Sequence, residues 1–227
     1  MMTALAAAER QEAAEMLASA FHDSPLFRWA FPGAASRQRI LLTLFALVVD
    51  DALRWGGVEV AYNHQIAGLL IWYPPGRYPM SAGRILRHLP DYLRMVAASP
   101  LGILRLFRTQ TTFNRCRPKQ PHCHGYFLAG RPGSHVGSAL LRCLFNKADA
   151  KNWPIYLETQ DPRAARLYGR FGFTMVRDGF ETVPGGPLTW TMWREPHAKN
   201  QRSPIQNAGL VSQRAAAGVR SSMTAAR

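Results

Sequence analysis

Glu158 and Tyr168 are the side chains whose types and setting first suggest chemistry in this 227-residue chain. A carboxylate can accept a proton. A phenol, neutral at neutral pH, can donate one without first collecting it. Each has a plainer reading: a strand carboxylate making a structural hydrogen bond, and a tyrosine that only packs. His124 is a lesser base candidate. The stretch that carries the pair, Pro154 to Phe173, has a legible local design. Ile155 to Thr159 is a β-prone run. Asp161 can cap a helix, and Pro162 suits its first position, where the missing N–H costs nothing. A short helix over 163–170 ends at Gly172, and a strand follows over 173–177.

The elements around this stretch can be read in order. Residues 3–21 form a helix with one apolar stripe. No room is left ahead of it for a strand, so a first strand is expected to be missing. Phe27, Trp29 and Phe31 either line a pocket or pack on a sheet. A buried helix spans 37–55. Strands over 58–62 and 66–73 are joined by a hairpin turn at Asn63-His64-Gln65. A helical hairpin is expected at about 81–110, as a lid or, alternatively, as a surface lying on a membrane. Then come a strand over 122–130, a helix over 136–151 and last strands over 173–177 and 188–194. After Pro196 the apolar periodicity stops, so 1–196 is read as one domain and 197–227 as a disordered basic tail.

Composition narrows the function classes. The net charge is +14, and residues 77–119 hold nine Arg or Lys against one acid. This is either a field that attracts an anion or a solvated basic face. No nucleic-acid motif accompanies it, and no nucleic-acid partner is expected. The longest apolar run, 40–53, is too short to span a bilayer, and no membrane partner is expected. There is no secretory signal, and the three cysteines suggest no disulfide framework, so the expected setting is cytoplasmic. Cys116, His122, Cys123 and His124 invite a metal test. A strand alternates sides, so these residues do not converge as tetrahedral zinc requires, and no metal is expected.

The order Leu157-Glu158-Thr159, Pro162-Arg163 and Leu167-Tyr168-x-x-x-Gly172-Phe173 resembles the second half of the GNAT superfamily of acetyl-CoA-dependent N-acetyltransferases. Within it the chain is similar to the puromycin N-acetyltransferase group. Arg117-Pro118-Lys119-x-Pro121, Gly137-Ser138-Ala139, Ala148-Asp149-Ala150 and Gly186-Pro187-Leu188-Thr189-Trp190 agree in order and spacing. The resemblance is strong over 117–196 and weaker over the first hundred residues. It implies an α/β (α+β) fold with a mixed, mostly antiparallel central sheet flanked by helices.

The resemblance also implies an activity: transfer of an acetyl group from acetyl-CoA to an amine of a small molecule, an aminonucleoside-type antibiotic being one candidate, by a monomer or homodimer. Tyr168 stands where the family places the acid that protonates the departing thiolate. Glu158 is then the candidate base. The strand over 122–130 would part from its neighbour and pair with the amides of pantetheine, with a backbone N–H near Leu128 or Ala129 facing the oxyanion. The pyrophosphate would rest on Gly133, Ser134, His135, Val136, Gly137 and Ser138, at a helix N-terminus. This loop is about three residues shorter than the family pattern. His135 replaces its first glycine, and Arg131 is a candidate source of charge. The departures leave a second expectation standing: an inactive acyl-CoA-binding or interaction module of the same fold.

Overall fold

The computed structural model describes residues 2–197. Seven strands form one sheet: β1 (Met2–Ala4), β2 (Gly57–Asn63), β3 (Gln65–Tyr73), β4 (Cys123–Gly130), β5 (Ile155–Thr159), β6 (Thr174–Glu181) and β7 (Leu188–Arg194), in the order β1-β2-β3-β4-β5-β7-β6. Only β4 and β5 pair parallel; every other neighbouring pair is antiparallel. The helices are α1 (Arg10–Phe21), α2 (Pro25–Ala30), α3 (Ala34–Trp55), α4 (Ala82–Arg87), α5 (Leu89–Ala98), α6 (Pro100–Cys116), α7 (Gly137–Ala150) and α8 (Pro162–Arg170).

The sheet is covered on both faces, and strand alternation sorts its residues between two cores. Val58, Val60, Leu69, Ile71 and Tyr73 belong to the core built with α1 and α3. Ala61, Leu70 and Trp72 belong to the core built with α7 and α8. β3, buried on both faces, therefore reads as a nearly continuous apolar run. Helix α7 is further tied to β2 through buried Glu59, which accepts from Trp72 Nε1 at 3.1 Å and pairs with Lys147.

Three expectations are corrected. A first strand is present: Met2–Ala4 pairs antiparallel with β2, Thr3 opposite Val60. Three residues suffice because the strand sits at a sheet edge and borrows its order from the partner. The 81–110 hairpin is three helices reaching Cys116. It is fixed to the body by a buried ion pair in which Arg84 Nε donates to Asp51 Oδ1 at 2.8 Å, while Tyr73 donates to Asp51 Oδ2 at 2.7 Å. Arg105 donates to the Trp29 carbonyl at 2.9 Å, and Thr112 to that of Thr182 at 2.8 Å. Strand β6 also outruns its expected end at Arg177; two register shifts, with Gly179 at φ 48°, carry it on to Glu181. Apart from His197, the expected tail lies outside the described residues.

Candidate functional site

Strands β4 and β5 pair over only three positions, Cys123 with Ile155, His124 with Tyr156 and Gly125 with Leu157. Beyond Gly125, β4 continues to Gly130 paired with β3, and its other edge has no strand partner among the described residues. The parting begins at a bulge. Trp72 pairs with Gly125 and Ile71 with Phe127, which leaves Tyr126 as the extra residue, and such an insertion bends the strand that carries it. A small cavity of about 30 Å³ lies where the strands diverge, lined among others by Tyr126, Phe127, Leu128, Glu158, Tyr168 and Phe173. The structure thus brings Glu158, Tyr168 and Leu128 to one place.

Tyr168 is aimed by α8, whose start and stop follow from local chemistry. Asp161 caps the helix by accepting from Arg163 N–H at 2.8 Å, and Gly172 at φ 84° turns the chain into β6. The phenol has no hydrogen-bond partner among the described residues. Its ring packs on Phe173 at 5.7 Å. Burial, with Asp161 adding to it, pushes its pKa up to about 12. It is therefore protonated across the physiological range and available as a donor.

Glu158, on β5, is almost fully buried, and burial raises its carboxyl to about 7 against a downward pull from Arg117. Arg117 NH2 lies 3.9 Å from Oε1, and His124 Nε2 lies 3.3 Å from Oε2. Burial, then Arg117 and His122, hold the His124 imidazole well below its usual range, so it is neutral. Tyr78 joins these groups: its ring stacks on His124 at 4.1 Å and 12°, and the Arg117 guanidinium sits over the same ring, 4.5 Å from its centre. Both His124 ring nitrogens, Glu158 Oε1, and Arg117 Nε and NH2 are buried without a hydrogen-bond partner among the described residues. A buried polar atom left in this state costs about 1–3 kcal/mol, so the cluster is kept against stability.

The loop before α7 holds the remaining candidates. Gly133 has φ 76° and His135 φ 51°, so His135 adopts the left-handed conformation that glycine favours. Ser134 N–H closes a turn on the Arg131 carbonyl at 3.1 Å. Val136 precedes the first residues of α7, Gly137 and Ser138, whose N–H groups belong to the unpaired first turn. Leu128 approaches Gly137 from β4. Ala129 is buried in the α1–α3 core and pairs with Leu69. Arg131 is turned away: its Nε donates to the Ile66 carbonyl at 2.7 Å, and NH2 lies 3.7 Å from Glu12. Its charge is directed at α1 rather than at the loop.

No protein-family model matches the chain. Solved structures do. An acetyltransferase from Corynebacterium glutamicum, named as histone acetyltransferase HPA2 and related acetyltransferase, aligns with TM-score 0.65 at 25% identity, over 88% of this chain and 98% of its own. Arylalkylamine N-acetyltransferase 2 from Aedes aegypti aligns with TM-score 0.55 at 12% identity, over 87% and 99%. Polyamine N-acetyltransferase from Drosophila melanogaster aligns with TM-score 0.51 at 17% identity, over 86% and 99%. The fold is that of the GNAT acetyltransferases.

Within this GNAT fold, two residues beside Glu158 have no role legible in the sequence, and a third has only a minor one. Arg117 stood out only as part of an Arg-Pro-Lys motif, Tyr78 not at all, and His124 as a lesser base. Their signal is tertiary: they come from the end of α6, the segment after β3 and the start of β4. Among the described residues no group of three or more His, Cys, Asp or Glu side chains is placed to hold a metal ion, and no helix is long and apolar enough to cross a membrane.

Proposed function

We propose that the protein transfers an acetyl group from acetyl-CoA to the amine of a small molecule. The reading is carried by one observation: β4 parts from β5 directly beside a cavity lined by Glu158 and Tyr168. The residues fit the cosubstrate. The unpaired edge of β4 past Gly125 offers alternating N–H and C=O groups to the pantetheine amides. The first turn of α7, with Gly133 to Ser138, offers N–H groups to the pyrophosphate. The cavity itself has room for roughly one water, so the arm would lie along the strand edge rather than inside it.

Acetyl-CoA supplies an activated acyl carbon and a thiolate leaving group. Glu158, titrating near neutrality, accepts the proton that the amine loses as its C–N bond forms. Tyr168 gives its proton to the sulfur as the C–S bond breaks. A backbone N–H of β4 near Leu128 faces the oxygen that gains charge. The proton on Glu158 then returns to the Tyr168 oxygen, and amide and free thiol leave. Proton transfers of this kind contribute about 10²- to 10⁴-fold each.

A small amine as acceptor is supported by the named activities of the fold neighbours, among them arylalkylamine and polyamine N-acetyltransferases. An aminonucleoside acceptor is supported by the sequence similarity to the puromycin N-acetyltransferase group. Free Cys116, Cys123 and Cys143 suit a reducing, cytoplasmic setting. One observation favours the inactive-module reading: Arg131 is turned to Glu12, so the loop has no guanidinium to offer phosphate. Titration calorimetry with acetyl-CoA, followed by thiol release with a panel of amines, separates the readings. Binding with release upholds the enzyme, binding without release the inactive acyl-CoA-binding module, and no binding at millimolar acetyl-CoA removes the enzyme and leaves an interaction module.

A further inference from the structure

Arg117 is the C-cap of α6, its N–H donating to the Phe113 carbonyl at 2.9 Å, and Pro118 follows. Its guanidinium therefore starts from a fixed point. It reaches inward, 8% exposed, to lie 4.5 Å from the Tyr78 ring centre. Tyr78 is held in turn by donating its hydroxyl to Gln110 Oε1 at 3.1 Å and by stacking on His124. Arg117, Tyr78 and His124 form a column beside Glu158, and the column is anchored on α6 at one end and β4 at the other.

The groups that face Glu158 can be taken element by element. The end of α6 brings Arg117, the segment after β3 brings Tyr78, and β4 brings His124, with Tyr126 and His122 behind it. Strand β5 itself brings Tyr156, and α8 brings Tyr168 across the cavity. Every tyrosine among them is raised above its usual range, and both histidines are lowered. They are neutral near pH 7. Arg117 alone among them carries a formal charge, yet at 3.9 Å it is too far from Oε1 to hydrogen-bond it. A direct bidentate pair would hold the carboxylate fully ionised and occupy its lone pairs. This spacing applies the field and leaves Oε1 free.

We propose that Arg117 is a positioning residue for the acetyl transfer: its guanidinium, wedged against Tyr78, supplies the positive charge that opposes the burial of Glu158 and leaves that carboxylate free to face the cleft. The assignment rests on Glu158 as the base. It adds what sets the working pH of that base: a cation delivered by the inserted helical hairpin rather than by the sheet.

The test reads Glu158 without turnover. Protein labelled with ¹³C in the glutamate side chains is titrated by NMR, and the Glu158 carboxyl signal is identified by its loss in Glu158→Gln. In Arg117→Gln the midpoint should rise by at least about one unit, because an opposite charge a few ångströms away commonly shifts a carboxyl by 1–3. In Arg117→Lys it should stay within about half a unit. The acid limb of kcat/KM should move with it, with a loss of about fivefold or more at pH 7 that recovers near pH 9. If Arg117→Gln does not fold, Arg117→Met, which keeps side-chain length against Tyr78, takes its place. A folded neutral variant whose Glu158 midpoint is unmoved or lower overturns the proposal. If the wild-type protein acetylates no amine, the proposed function fails alone, and the titration still decides the role of Arg117.

Discussion

His124 Nε2 lies 3.3 Å from Glu158 Oε2, yet no hydrogen bond joins them. Two buried titratable groups in contact usually resolve into an ion pair. Here burial acts on both in the neutral direction, raising the acid and lowering the base. The result is a carboxyl that changes charge near pH 7 beside an imidazole that does not.

This has a consequence for stability with a definite sign. Glu158 keeps its proton up to about pH 7 in the folded protein, against 4.5 for an ordinary glutamate. Between those values the folded state binds more protons than the unfolded one, so stability falls as pH rises through the window. Glu158→Gln removes that loss. It should stabilise the protein at pH 8 by on the order of 2 kcal/mol, and do little at pH 4. Urea unfolding of both proteins at the two pH values checks this, and an equal effect at each would count against the raised pKa.

Turnover should show the opposite face of the same group. A base must be ionised to work, so kcat/KM should climb with pH to a plateau with its midpoint near 7. In Glu158→Gln this limb should vanish, with rates at pH 8 reduced by about 100-fold or more. Assays across pH 5.5–9 would show it.

Tyr168→Phe separates chemistry from packing. The phenol oxygen has no partner among the described residues, and the ring contacts are kept by phenylalanine, so the melting temperature should hardly change. Turnover should fall by about 100-fold, since a proton donor to the sulfur is lost. With a pKa near 12, the wild-type phenol should also impose no falling limb below pH 9. Full activity in the variant would transfer the acid role elsewhere.

Gly68 sets how closely β3 approaches the loop before α7. A Cβ there would fall 2.4 Å from Val136 Cγ2 and 2.9 Å from the Ala129 carbonyl oxygen. Gly68→Ala should cost about 1–3 kcal/mol and displace Val136. If that loop holds pyrophosphate, acetyl-CoA affinity should fall while Tyr168 and Glu158 are untouched. Calorimetry beside thermal melts distinguishes this from a purely global loss.

At His135 the expected sign reverses. With φ 51° and an exposed side chain, it occupies a conformation that costs a non-glycine residue about 1 kcal/mol or more. His135→Gly should therefore leave the protein as stable or slightly more so. Calorimetry of the variant should show acetyl-CoA bound no more weakly than by wild type. A large loss of affinity would instead make the imidazole a phosphate ligand.

The chain announces some of this and conceals the rest for physical reasons. Asp161, Pro162 and Gly172 are local signals, and α8 begins and ends where they place it. β7 matches its expected range for a similar reason, with turn residues just ahead of it and Pro196 just beyond. β1 is hidden because three residues carry no period and its order comes from β2. The far end of β6 is hidden by its register shifts, which break the alternation that a strand is read from. Tyr168 and Glu158 lie within one motif and could be named from it. Arg117 and Tyr78 could not, since they lie far from Glu158 in the chain and meet it only in the folded protein.

The short parallel ladder between β4 and β5 has one more implication. In the middle of a seven-stranded sheet it creates an interior edge, where every second amide of β4 past Gly125 has no strand to bond among the described residues. Those amides should exchange with deuterium far sooner than their neighbours bonded to β3, giving an alternating fast–slow signature inside one strand. A molecule that threads the gap would silence the fast set, so exchange along β4 would report occupancy of the cleft residue by residue.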